Sequence, residues 1–139
     1  MNTTRPFSQA LKRLRDAGLR PTRQRLALAK LLFECGEDRH VTAEALHDEA
    51  SSADVRVSLA TVYNTLHQFT NVGLLREVVV DSGKTYFDTN ISDHHHFYIE
   101  DKGTLCDFEA DRMVLSGLPN PPEGTEVERV DVIVRVRAN

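Results

Sequence analysis

The hydrophobic period of this chain changes at Gly73, and the change limits the folds open to it. Upstream, apolar residues recur at helical spacing; downstream, they fall into short β-rich runs. Ser8 can cap a helix over 9–17, with Phe7, Leu11 and Leu14 near one face and Gly18 as its stop. Thr22 starts a second helix, 23–34, carrying Leu26, Ala29, Leu32 and Phe33. The run 36–40 breaks it, and Thr42 caps a short helix, 43–50, with Leu46 inward. After a turn at 51–54, Ser58 caps a fourth helix over 59–70. Leu75–Val80 and Thr85–Asp88 then flank Asp81-Ser82-Gly83-Lys84, a hairpin signal.

Helices followed by a hairpin predict a winged helix-turn-helix with the fourth helix in the recognition position. From residue 94 the text is again strand-like: His94–Glu100, Thr104–Phe108 and Val127–Val136. In the last run Val130, Val132, Val134 and Val136 share one face, built to be buried. Pairing with a second copy is the natural way to bury it, and packing against a short helix of its own is the alternative. The expectation is an α+β chain: a winged-helix module over 1–88, then a small β-rich (α/β) dimerisation module over 89–139.

Residues 1–30 hold eight Lys or Arg against Asp16 alone, whereas residues 88–139 hold eleven acidic and five basic residues. A basic front and an acidic back point to one end meeting a polyanion. No apolar run approaches the ~20 residues of a membrane span, and the N-terminal stretch has no secretory apolar region, so a cytoplasmic protein without membrane contact is expected. Cys35 and Cys106 form no C-x-x-C pair, which argues against a disulfide scaffold and a cysteine-bound zinc.

The segment 59–70 carries no formal charge, where roughly three charges would be ordinary. Leu59, Val62, Leu66 and Phe69 occupy one side of it; Ala60, Thr61, Asn64 and Gln68 face away, with Tyr63 and His67 on the boundary. Amides, hydroxyls and methyls without charge suit base edges in a major groove, since Asn and Gln can pair with adenine. Arg5, Arg15, Arg20, Arg23, Arg25 and the hairpin Lys84 would then supply phosphate contacts on double-stranded DNA. The competing reading is a helix-turn-helix used to bind protein.

His94-His95-His96 is the sharpest chemical feature. In a strand, residues two apart share a face about 6.5 Å apart, so His94 and His96 can grip one cation while His95 points away. Asp88 precedes them and Asp107 sits in the next strand. Imidazole with carboxylate suits zinc, manganese or ferrous iron; haem, which takes axial imidazole, is the other guest, flanked by Phe97 and Tyr98. His40, His47 and His67 form a looser set in the helical module, of which His40 and His47 acting alone read as structural. A small metal-dependent hydrolase or oxygenase using His94, His96 and Asp88 is an alternative class, and histidines with a purely structural role are another.

The segments Gly18–Arg25, His40–Glu44 and Leu59–Tyr63, with Gly83-Lys84 and the histidine cluster, resemble the ferric uptake regulator family in order and over nearly the whole chain. Ala60–Leu66 with His94–Phe97 and no C-x-x-C resembles its iron response regulator branch. The resemblance implies a homodimeric regulator of iron-related transcription on promoter DNA, with haem lowering DNA affinity. A repressor dependent on Fe, Mn or Zn is the alternative. It also implies a divalent-metal site at His40, Asp88, His94, His96 and Asp107, and haem contact through His94, His95 and His96. Ile99 and Lys102 stand where the family has its first zinc cysteines, and Asn64 stands where many members have Arg after the recognition tyrosine. The run 118–124, rich in proline, cannot form the family's long dimerisation helix.

Overall fold

The computed structural model describes residues 8–81 and 84–139. Phe7 and Arg5, the side chain of Ser8 and the turn pair Ser82-Gly83 lie outside the described residues, and with them the expected Ser8 cap and the hairpin turn. The chain divides into two compact units, Met1–Ile91 and Ser92–Asn139, where the sequence placed the boundary after Asp88.

In the first unit, α1 (Ser8–Asp16), α2 (Arg23–Phe33), α3 (Ala43–Ser52) and α4 (Leu59–Asn71) follow one another closely. Three of the expected caps form: Thr22 accepts from Arg25 N, Thr42 from Ala45 N and Ser58 from Thr61 N, at 3.2, 3.1 and 3.0 Å. Each satisfies an amide that the first helical turn leaves without an internal partner. Gly18 ends α1 at φ 79°, a left-handed conformation that lets Leu19 N reach Leu14 O at 2.8 Å. Between α3 and α4 the tight turn places Asp54 at φ 58°, tolerated because Asp is among the residues that visit this region.

Leu14, Leu28, Leu32, Leu46, Val62, Leu66, Phe69 and Phe87 form the wholly buried heart of this unit. One position on α4 differs from the helical-wheel expectation, and one not assigned there joins the buried face. Leu59 is 36% exposed, because its first-turn side chain leans back past the end of the core, and Thr65 is buried in the same stripe as Val62 and Phe69. The wing is a three-stranded antiparallel sheet in the order β1 (His40–Val41), β3 (Lys84–Asp88), β2 (Arg76–Asp81). The run 36–40, read only as a break, thus ends in a two-residue strand that pairs His40 with Asp88 and Val41 with Phe87.

The second unit is a three-stranded sheet in the order β5 (Thr104–Glu109), β4 (His94–Ile99), β6 (Ile133–Val136). β4 and β5 are antiparallel, and β6 runs parallel to β4. The final strand is shorter than the 127–136 run anticipated: only four residues find a partner strand, and 127–132 remain irregular. The single helical element described in this unit is the 3-10 turn Ala110–Arg112, none of whose residues is buried. An internal helix therefore does not cover this sheet. Among the described residues, no helix is long and apolar enough to cross a membrane.

Candidate functional site

Among the described residues, side chains of the types that can hold a metal gather in each unit. In the first, antiparallel register sets His40 and Asp88 opposite each other, and His40 Nε2 lies 3.3 Å from Asp88 Oδ2. Asp88 is fully buried, and its Oδ1 accepts from Asn90 N at 2.9 Å. Arg39 fixes the backbone that presents His40. Its N donates to Thr89 Oγ1 at 2.8 Å, its O accepts from Thr89 N at 3.0 Å, and its guanidinium bonds Leu31 O and Glu49. The Glu49 hydrogen bond also raises the Arg39 pKa above its ordinary value, so this anchor stays charged.

In the second unit, β4 places His94 and His96 on one face, and cross-strand pairing puts Asp107 directly opposite His96. Asp107 Oδ1 lies 3.2 Å from His96 Nε2 and 3.6 Å from His94 Nε2. Both imidazoles are buried, and their ring centroids are 4.6 Å apart. His94 Nδ1 sits 2.6 Å from Ser92 O, a carbonyl that can only accept, so Nδ1 carries the hydrogen. With Nδ1 committed to Ser92 O, Nε2 is the nitrogen that faces the Asp107 carboxylate. A cation between Nε2 and the carboxylate, a metal ion or a proton on Nε2, satisfies both groups. Ligands held about 2.0–2.2 Å from one ion stand about 3.0–3.5 Å apart; His40–Asp88 and His96–Asp107 have that spacing, and His94–Asp107 at 3.6 Å lies just beyond it. The donor set of imidazole and carboxylate fits Zn, Mn or Fe, and a carbonyl holding the far nitrogen of a histidine is the usual support for such a ligand.

His95 occupies the opposite face. Its Nδ1 accepts from Val132 N at 3.2 Å, and its ring packs on Phe108 at 5.5 Å. Alternation along β4 thus sets the middle ring apart from His94 and His96, as the sequence expects. His47 Nε2 lies 3.1 Å from Val57 O.

On the candidate nucleic-acid surface, Ala60, Asn64 and Gln68 of α4 are exposed, Thr61 and Tyr63 half-buried, and Lys84 exposed on the wing. Arg20 and Arg23 are exposed beside α2. Arg25 donates through Nε and Nη2 to Gln68 Oε1 at 3.3 and 3.1 Å and through Nη1 to Arg20 O at 2.8 Å. One expected phosphate contact and one expected base reader are thereby joined in advance, leaving the Gln68 amide nitrogen as its outward donor. Thr61 Oγ1 accepts from Ser58 Oγ at 3.0 Å. Glu44, which the sequence did not single out, accepts the Tyr63 hydroxyl at 2.9 Å and raises that phenol's pKa. The spacing of Glu44 and Tyr63, on different helices, gave no sign of this contact.

Residues 16–118 match the profile of the Ferric uptake regulator family. The chain is 32% identical over 103 residues to the peroxide-responsive repressor PerR of Staphylococcus aureus (strain Mu50 / ATCC 700699), covering 74% of this chain and 68% of that protein. Among solved structures it is similar to the ferric uptake regulator of Pseudomonas aeruginosa with manganese. That match has 27% identity and TM-score 0.69, and covers 93% of this chain and 97% of the other. The Vibrio cholerae ferric uptake regulator shares the fold at 23% identity and TM-score 0.69, covering 91% of this chain and 98% of its own.

Proposed function

Because the chain belongs to the ferric uptake regulator family, we propose that it is a divalent-metal-responsive transcription regulator that binds promoter DNA as a homodimer. His40, Asp88, His94, His96 and Asp107 serve as one ligand set for Fe, Mn or Zn. Arg20, Arg23, Arg25 and Lys84 contact phosphates, and Ala60, Thr61, Tyr63, Asn64 and Gln68 read the groove. The observation that carries the metal reading is the convergence of His94 Nε2 and His96 Nε2 on Asp107 Oδ1, with His94 Nδ1 held by Ser92 O. The manganese in the Pseudomonas relative supports the same chemistry. Members of this family are transcription regulators, not enzymes, which disfavours the hydrolase or oxygenase alternative.

A bound ion acts only through its differential affinity for the DNA-competent state. Its ligands come from both units, so occupancy couples the reading unit to the second sheet, and DNA tightens metal binding by the factor by which metal tightens DNA binding. A haem response of the iron response regulator type is the finer alternative. It fits less well, since His95 stands apart from His94 and His96.

The test is a titration of metal-stripped full-length protein with Mn²⁺, Fe²⁺, Zn²⁺ and haem, each followed by anisotropy on a promoter duplex. A saturable divalent ion is expected to raise DNA affinity. The His94→Ala/His96→Ala variant should lose that response and keep salt-dependent DNA binding. Indifference to all three ions, with saturable haem binding that weakens DNA binding, would replace this reading with the haem one.

A further inference from the structure

Arg76 is a buried cation that the proposed metal set does not use. It opens β2, and register places it directly across from Asp88, on the side of β3 opposite to His40. Directly paired residues of antiparallel strands project to the same face, with Cβ atoms about 4.5–5.5 Å apart. His40, Asp88 and Arg76 therefore form one row across the wing, with the carboxylate in the middle. Asp88 is 0% and Arg76 5% exposed, so little water screens the pair. Burial of a guanidinium is tolerated where a carboxylate compensates it, and the same holds in reverse for Asp88.

We propose that Arg76 is a resident competitor for Asp88 that sets the affinity and the selectivity of the metal site. Without metal, Arg76 neutralises the buried carboxylate and holds it in place. With a divalent ion bound, Asp88 is shared between two cations, and their mutual repulsion weakens the ion's hold. A site with the same ligands and no Arg76 would bind tighter, whereas a sensor needs an affinity low enough to release its signal. Arg76 does not touch the ion; it is a positioning and tuning residue. The inference rests on the proposed role of Asp88 as a ligand.

The experiment is a Mn²⁺ titration of the metal-stripped full chain against a competing chelator dye, for wild type, Arg76→Met and Arg76→Lys. Thermal unfolding is recorded with and without Mn²⁺. Arg76→Met is expected to bind Mn²⁺ about tenfold tighter or more, given the strength of a charge pair at this range in a partly buried setting. Its metal-free form should unfold at lower temperature and recover with Mn²⁺. Arg76→Lys, which keeps the charge, should stay near wild type on both counts. If Arg76→Met does not fold without metal, refolding by Mn²⁺ supports the proposal and failure to refold overturns it. Equal or weaker Mn²⁺ binding by a folded Arg76→Met also overturns it. A wild type that binds none of Mn²⁺, Fe²⁺ and Zn²⁺ in the same titration fails the metal reading itself, a result separable from a wild type that binds the ion with Arg76 making no difference.

Discussion

Tyr63 shows how a single contact alters what a side chain can offer to DNA. Its hydroxyl donates to Glu44, and a phenol that bonds a carboxylate resists ionisation, so its pKa lies above the ordinary 10.0. The sign is fixed: this contact contributes stability below the unfolded pKa and loses it as pH rises through the folded one. At neutral pH Tyr63 is a neutral donor already engaged, and to bond a base or phosphate it must leave Glu44. Replacing Glu44 by Gln should move the Tyr63 midpoint down toward 10.0, read as phenolate absorbance after subtraction of a Tyr63→Phe titration. It also removes an anion from the candidate DNA surface, so duplex affinity should rise at low salt. An unchanged midpoint would mean that the contact does not persist in solution. The outward residues of α4 were legible because the sequence there lacks charge; Glu44 was not, because it lies on α3 and only the packing of the two helices brings it to Tyr63.

Helix starts were the most legible elements, since the signal is local: Thr22, Thr42 and Ser58 each cap through an amide three residues on. Ser58 opens the reading helix, and Ser58→Ala should cost about 1 kcal/mol in chemical denaturation. The same change removes the Ser58 donor to Thr61, so Thr61 is freed and DNA affinity shifts along with stability. A variant as stable as wild type would show that water replaces the cap. Strands were harder to place because their existence depends on distant partners. β1 is only two residues long and is a strand because β3 pairs with it; that pairing is what presents His40 to Asp88. The valine alternation over 127–136 is real, yet alternation specifies a face and not a partner, and only Ile133–Val136 pairs with β4. Arg76 reads as an ordinary residue of the Leu75–Val80 run until register sets it beside Asp88.

At the scale of the whole molecule, the second unit cannot account for its own apolar surface. Val114 is 89% exposed, Leu115 50% and Leu118 57%, and the 3-10 turn beside them buries nothing. Apolar side chains concentrated in one small unit mark an interface rather than scattered surface residues. In the proposed homodimer a second copy covers them, consistent with the sequence expectation that the β-rich module pairs with itself. A dimer also gives each winged helix a tethered second reading head, which raises DNA affinity by about 10²–10⁴-fold without any new contact to a half-site. Val114→Glu/Leu118→Glu places two carboxylates where the single chain has little packing to lose, so each unit should keep its circular dichroism and the chain its Mn²⁺ binding. Sedimentation equilibrium should then show monomers at concentrations where wild type is dimeric, and binding to a two-half-site duplex should fall while binding to a single half-site holds. A double variant that stays dimeric would move the interface elsewhere. One that becomes monomeric with no loss on the two-half-site duplex would separate dimerisation from DNA reading, and the basic front of the chain, eight cations within its first thirty residues, would then carry the affinity alone.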